Sequence, residues 1–193
     1  MLPKRQRAGS VVHKEEALLF TGLLYVSMNS YLVSRDLLID AFGPAIIESD
    51  EYTWDFSKYY SMEMGSGIKR RFILFDTPYD VQQISDTKLK TIEMEWCLSD
   101  KGKRTVNIDP GYLTLAKVVL ATTKNYSHRI YLKDGIYAEV TLTFKRGGSY
   151  EPHMYTYRDY TEGVARDFLA RGRDILLQKT NGNDDLRQDD LQQ

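Results

Sequence analysis

The sequence predicts an α+β fold, a ferredoxin-like β-α-β-β-α-β sandwich with a C-terminal β-hairpin extension and a terminal helix. Three observations carry that expectation. ALLFTGLLYV (17–26) is a continuous apolar run of strand length, suited to a central strand buried on both faces. Strand-like and helix-like segments then follow it in the order β-α-β-β-α-β up to residue 109. No long helical pattern separates the strands on either side of 57–67, which counts against the alternative of a doubly wound parallel sheet.

Each element has its own signal. Ser30 is placed to cap the first helix. Leu32, Leu37, Leu38, Ala41 and Phe42 fall on one helical stripe, and Gly43-Pro44 stops it. AIIESDEYTWDF (45–56) reads as a strand that becomes more polar. SKYYSMEMGSG (57–67) reads as a loop or short helical turn, and IKRRFILFDTP (68–78) as a strand closed by Pro78. From Asp80 or Val81 to about Leu98 the pattern is helical, with Val81, Ile84, Ile92 and Trp96 near one face. DKGKR (100–104) is a turn, and RTVNID (104–109) is a strand ended by DPG (109–111). YLTLAK (112–117) fits one helical turn as well as a strand, and VVLATTK (118–124) reads as a strand. The last helix runs from about Thr161 to Gln178, with Val164, Phe168, Ile175 and Leu176 as its apolar stripe. Residues 15–179 make one domain, and 1–14 and 180–193 read as mobile tails with little to bury.

HRIYL and IYAEVTLTFKR form a hairpin. A three-residue loop, Lys133-Asp134-Gly135, keeps its faces clean. Leu132 then faces Ile136, Ile130 faces Ala138 and His128 faces Val140, while Tyr131 meets Tyr137 and Arg129 meets Glu139. On an exposed face the last pair is a structural contact worth at most ~1 kcal/mol.

Composition narrows function. The chain has 193 residues, 26 basic and 27 acidic, for a formal charge of −1. Basic residues gather at the start and acidic ones at the end, so the body is near neutral and bulk binding of nucleic acid is disfavoured. The single cysteine, Cys97, makes no internal disulfide and suits a reducing compartment. No apolar run approaches the ~18 residues of a membrane span, and the N-terminus lacks the apolar stretch of a signal peptide. A cytoplasmic location is expected.

Between residues 109 and 129 hydroxyls and cations are dense. Lys117, Lys124, His128 and Arg129 are candidate ligands for an anion, with Asp109 or Glu139 as an acid, base or metal ligand. The structural reading of the same stretch is a solvated edge on which lysines block further strand pairing. Known motifs give no further help. GSGIKRR (65–71) lacks P-loop spacing, and no G-x-G-x-x-G follows the first strand. No G-x-S-x-G elbow is present, and the three histidines lie far apart in sequence. No motif assigns a catalytic residue, a metal or a cofactor.

The stretches 67–76, GKRTVNIDPGYLTLAKVVLATTK (102–124) and HRIYLKDGIYAEVTL (128–142) resemble an uncharacterised prokaryotic family, domain of unknown function 4416, over roughly Ala17 to Tyr160. The resemblance implies no activity, substrate or site residue. Two functions therefore compete. One is binding of a small anionic ligand, phosphate- or nucleotide-like. The other is a non-catalytic interaction or self-association module presenting its tyrosines. RNA binding ranks behind both, because FILFD lacks the glycine of an RNP motif.

Overall fold

The apolar run becomes β1 (Leu18–Tyr25), buried along its whole length. Its edges pair antiparallel with β4 (Lys69–Pro78) and β5 (Val106–Leu113), which accounts for its backbone groups on both sides. Its faces alternate, as the period of a strand requires. Leu18 and Phe20 pack with Phe168, Leu169 and Leu176. Leu19, Leu23 and Tyr25 pack with Tyr31, Leu38 and Ile84. Each such apolar side chain contributes roughly 1.5–3 kcal/mol when fully buried.

The computed structural model describes residues 16–189, with side chains to residue 182. The predicted N-terminal tail, 1–14, lies outside the described residues. After β1 come α1 (Met28–Phe42), β2 (Ala45–Glu48), β3 (Tyr52–Thr53) and α2 (Lys58–Met64). β4 leads through a 3-10 turn into α3 (Ile84–Cys97) and β5. Then follow β6 (Lys117–Thr122), β7 (Ile130–Lys133), β8 (Ile136–Lys145), β9 (Ser149–Pro152) and α4 (Gly163–Asp189). One sheet runs β2-β4-β1-β5-β6-β8-β7, with β3 added on β4 and β9 on β8. Its strand pairs are antiparallel, which rules out the doubly wound parallel alternative. α1 and α3 cover one face and α4 the other. Among the described residues no helix is long and apolar enough to cross a membrane.

Several expectations shift. The cap of α1 is Ser27, whose hydroxyl accepts from the Ser30 amide; Ser30 lies inside the helix. The buried stripe of α1 is Tyr31, Ser34 and Leu38, while Leu32 is exposed. Tyr31 goes inward because its hydroxyl finds Glu48. The strand expected over 45–56 is broken between Glu48 and Tyr52, where the Ser49 hydroxyl accepts from the Phe72 amide. Ile84 is buried as expected, but Trp96 is exposed, and α3 also buries Ser85, Thr87, Lys88, Thr91 and Glu95. α4 is longer than the predicted Thr161–Gln178.

Asp109-Pro110-Gly111 does not end a strand, for β5 continues to Leu113. Pairing with β6 begins only at Gly111, so the missing N–H of Pro110 breaks no bond to that neighbour. A Cβ on Gly111 would stand 2.6 Å from the Val119 carbonyl oxygen, so glycine lets β6 close in there. The segment 112–117 is strand and turn rather than helix.

The hairpin has the predicted pairs Ile130–Ala138 and Tyr131–Tyr137. Its turn is tighter than the three-residue loop. Asp134 and Gly135 both have positive φ, 52° and 77°, and Lys133 pairs with Ile136. The extra residue is absorbed as a bulge between Tyr131 and Lys133.

Candidate functional site: a cavity where the sheet forks

β5 pairs with β1 along its full length but with β6 only at Gly111, Tyr112 and Leu113. Beyond those pairs β6 stays with β8, and the sheet forks. One edge of β5 is then left without a strand, and its backbone groups need other partners. Side chains of α3 supply them. The Glu95 carboxylate accepts from the Ile108 amide at 2.7 Å, and the Lys88 ammonium donates to the Ile108 carbonyl at 2.8 Å. Two buried charges on a helix face thus stand in for a missing strand.

The fork opens into a cavity of about 680 Å³. α2 lies along one wall, the end of β6 and residues 122–124 along another, and residues 155–160 along a third. Eight aromatic side chains are among the lining residues, including Trp54, Tyr60 and Trp96. Such a volume and lining suit a small molecule. α2 has no buried residue of its own. It is tied across the cavity by Glu63, which takes a bidentate pair from Arg104 at 2.6 and 2.7 Å.

The floor is charged and paired. Arg70 is 1% exposed and donates to Asp109 at 3.3 Å and to the Tyr160 hydroxyl at 3.1 Å. Its other carboxylate, Asp159, lies 3.3 Å away and also accepts from the Trp54 indole. Burial disfavours the Arg70 cation, but Asp159, Tyr160 and Asp109 outweigh it, so the guanidinium stays charged. Burial would also raise Asp109; Lys88, Arg70 and the Asn107 amide together hold it below the ordinary aspartate range. Glu95 goes the other way. Its burial wins over Lys88 and the Ile108 amide, and its carboxyl is raised. Two carboxylates beside one ammonium are therefore pushed in opposite directions.

Of the sequence candidates, Asp109, Lys124 and Glu139 line the cavity. The Lys124 ammonium lies over the Tyr59 and Tyr60 rings, at 5.4 and 6.0 Å. Arg129 and His128 both hold Glu139 from outside the lining, at 2.6 and 3.1 Å. The Arg129 and Glu139 side chains are each 3% exposed, so their pair is buried, unlike the solvated pair the strand pattern suggests. Arg129 also donates to the Tyr157 hydroxyl, and His128 stacks on Tyr155 at 4.3 Å. Lys117 starts β6, at the end away from the cavity, and is not brought together with the others. Among the described residues no three His, Cys, Asp or Glu side chains converge on a metal position.

Sequence reasoning missed Arg70, Lys88, Glu95, Arg104 and Asp159. One local signal existed. Lys88, Thr91 and Glu95 recur at helical spacing on a polar stripe that the structure buries.

A family model described as a domain of unknown function, DUF4416, matches residues 15–175. No curated protein and no solved structure matches the chain.

Proposed function

The chain belongs to the DUF4416 family, and from that premise and the cavity we propose that it binds a small anionic ligand, phosphate- or nucleotide-like. The observation that carries this is the aromatic-lined cavity with Lys124 in its wall. Among the described residues the Lys124 ammonium meets rings and no carboxylate, so its charge is available to an anion. Aromatic faces suit a planar group on the same ligand. Three further readings go with this one. The free thiol of Cys97 suits a cytoplasmic setting. The order β2-β4-β1-β5, with α1 and α3 among its connections, supports a ferredoxin-like unit for the first half of the sheet. Asp109 serves as the polar anchor of the floor.

The test is a thermal-shift titration with sulfate, phosphate and nucleoside monophosphates at matched ionic strength. A ligand that binds the folded state raises its melting temperature. The rise should appear in the wild type and be lost in Lys124→Ala. Equal shifts in both proteins would refute the reading.

One observation favours self-association as a second reading. β7 ends the sheet, and Ile130, Tyr131 and Leu132 are exposed on it. Two copies could pair antiparallel along this edge. A concentration-dependent dimer in sedimentation, abolished by Ile130→Lys, is expected; a monomer at all concentrations would end that idea.

A further inference from the structure

Resting on the ligand-binding reading above, we infer that the ligand is two-ended, with a ring N–H donor seated on Asp109 at the floor and its anionic group at Lys124 and Arg158. The floor itself is the reason. Its cations are already engaged. Arg70 holds Asp109 and Asp159, Arg104 holds Glu63 and Glu95, and Lys88 holds the Ile108 carbonyl. An anion placed there would find no uncommitted cation and would meet the Asp109 carboxylate.

Asp109 differs from its neighbours in two respects. Its side chain is 29% exposed where Glu95 and Asp159 are 5% and 8% exposed. Its two oxygens are also unlike. Oδ2 accepts from Arg70 at 3.3 Å and from the Asn107 amide at 2.9 Å. Oδ1 has Lys88 Nζ at 3.7 Å, beyond hydrogen-bond reach. An ionised carboxylate only accepts, so the partner for Oδ1 is a donor. The adjacent Arg70 and Lys88 keep Asp109 ionised, which fixes this preference. At the mouth the sign reverses. Lys124 and the exposed Arg158 line the cavity, and neither forms an ion pair among the described residues. Tyr60 links the two ends, with the Arg104 guanidinium 5.7 Å and the Lys124 ammonium 6.0 Å from its ring, and such a ring face accepts a planar group.

The experiment uses the full chain and its own fluorescence, because both tryptophans, Trp54 and Trp96, line the cavity. Probes are the four ribonucleoside 5′-monophosphates, inorganic phosphate, and uridine 5′-monophosphate beside its N3-methyl form, which keeps the phosphate and loses the ring N–H. We expect at least one monophosphate to bind more tightly than phosphate alone. The N3-methyl form should bind about tenfold or more weakly than its parent, the scale of one hydrogen bond to a charged group. Asp109→Asn should erase that difference, and Lys124→Ala should weaken every phosphate-bearing probe. The parent and methylated probes compared on wild type need no variant, so the test survives if Asp109→Asn fails to fold. Equal binding of the two uridine probes, with Lys124→Ala still weakening both, overturns the donor assignment and leaves anion binding intact. Absence of binding by every probe, or no effect of Lys124→Ala, overturns both.

Discussion

Arg70 and Arg71 are adjacent on β4, yet the alternation of a strand sends them to opposite faces of one sheet. Arg70 enters the cavity floor among Asp109, Asp159 and Tyr160 and is almost fully removed from water. Arg71 goes to the α1 side, is only partly buried, and lies over the Tyr31 ring at 5.0 Å. There tyrosines do much of the work. Tyr31 donates to Glu48, and Tyr25 donates to Glu51 at 2.7 Å. The same residue type is thus neutralised in two ways: the buried Arg70 by direct ion pairs at 3.3 Å, and the partly buried Arg71, among the described residues, by a ring face and carboxylates that make no direct ion pair with it. Buried pairs are costly to break from one side, because the partner charge stays buried. Partly hydrated clusters lose less, since water takes over.

The largest expected effect separates the two arginines directly. Arg70→Met strands Asp109 and Asp159 and should cost about 3–5 kcal/mol in denaturant unfolding. Arg71→Met should cost about 1 kcal/mol or less. Similar losses for both would collapse the distinction.

A smaller effect sharpens it from a neighbouring strand. Gly22 on β1 carries no polar side chain, but a Cβ there would stand 2.6 Å from Arg70 Nη2 and 2.9 Å from its Cζ. Gly22→Ala should cost about 1–3 kcal/mol, because the guanidinium is pinned by its partners and yields poorly. Combined with Arg70→Met, most of that cost should vanish, a coupling that a double-mutant cycle measures. Simple additivity would show that the glycine serves something other than room for Arg70.

The smallest effect is a slope with pH. On the Arg71 side the Tyr25 hydrogen bond lowers Glu51, and Glu48 is lowered by Tyr31 and Arg35 against its burial. Both stabilise the fold above the unfolded glutamate value of about 4.3, and that contribution is lost as pH falls through their lower folded values. Glu95 in the fork is raised, so it costs stability near neutrality, and the cost is relieved as pH falls through its folded value towards about 4.3. Urea melts from pH 7 to 3 should therefore fall less steeply for Glu48→Gln than for wild type, and more steeply for Glu95→Gln. A shallower curve for both variants would mean that the two faces respond to acid alike.

What the sequence disclosed was local. β1 announced itself as an apolar run, Gly43 as a helix stop, and the 130–138 pairing through alternation around Asp134-Gly135. Asp109, Lys124 and Glu139 were legible as candidates because polar groups crowd one stretch that ends at the cavity. Lys117 belonged to the same stretch, but a strand carries its two ends apart. The floor was hidden because its partners are remote in sequence. Arg70 meets Asp109 across 39 positions and Tyr160 across 90. Lys88 and Glu95 were hidden for another reason. They are buried to complete the backbone of β5, a need that exists only once β6 has turned away.

The three register pairs that join β5 to β6 make a narrow seam between two plates, β2-β4-β1-β5 on one side and β6-β8-β7 on the other. Asp109 rides on the first plate, while Lys124 follows the strand that belongs to the second. A molecule held by both would act as a splint across the seam. Its grip would register as slower amide exchange at Tyr112 and Val119, residues of the seam that do not themselves line the cavity.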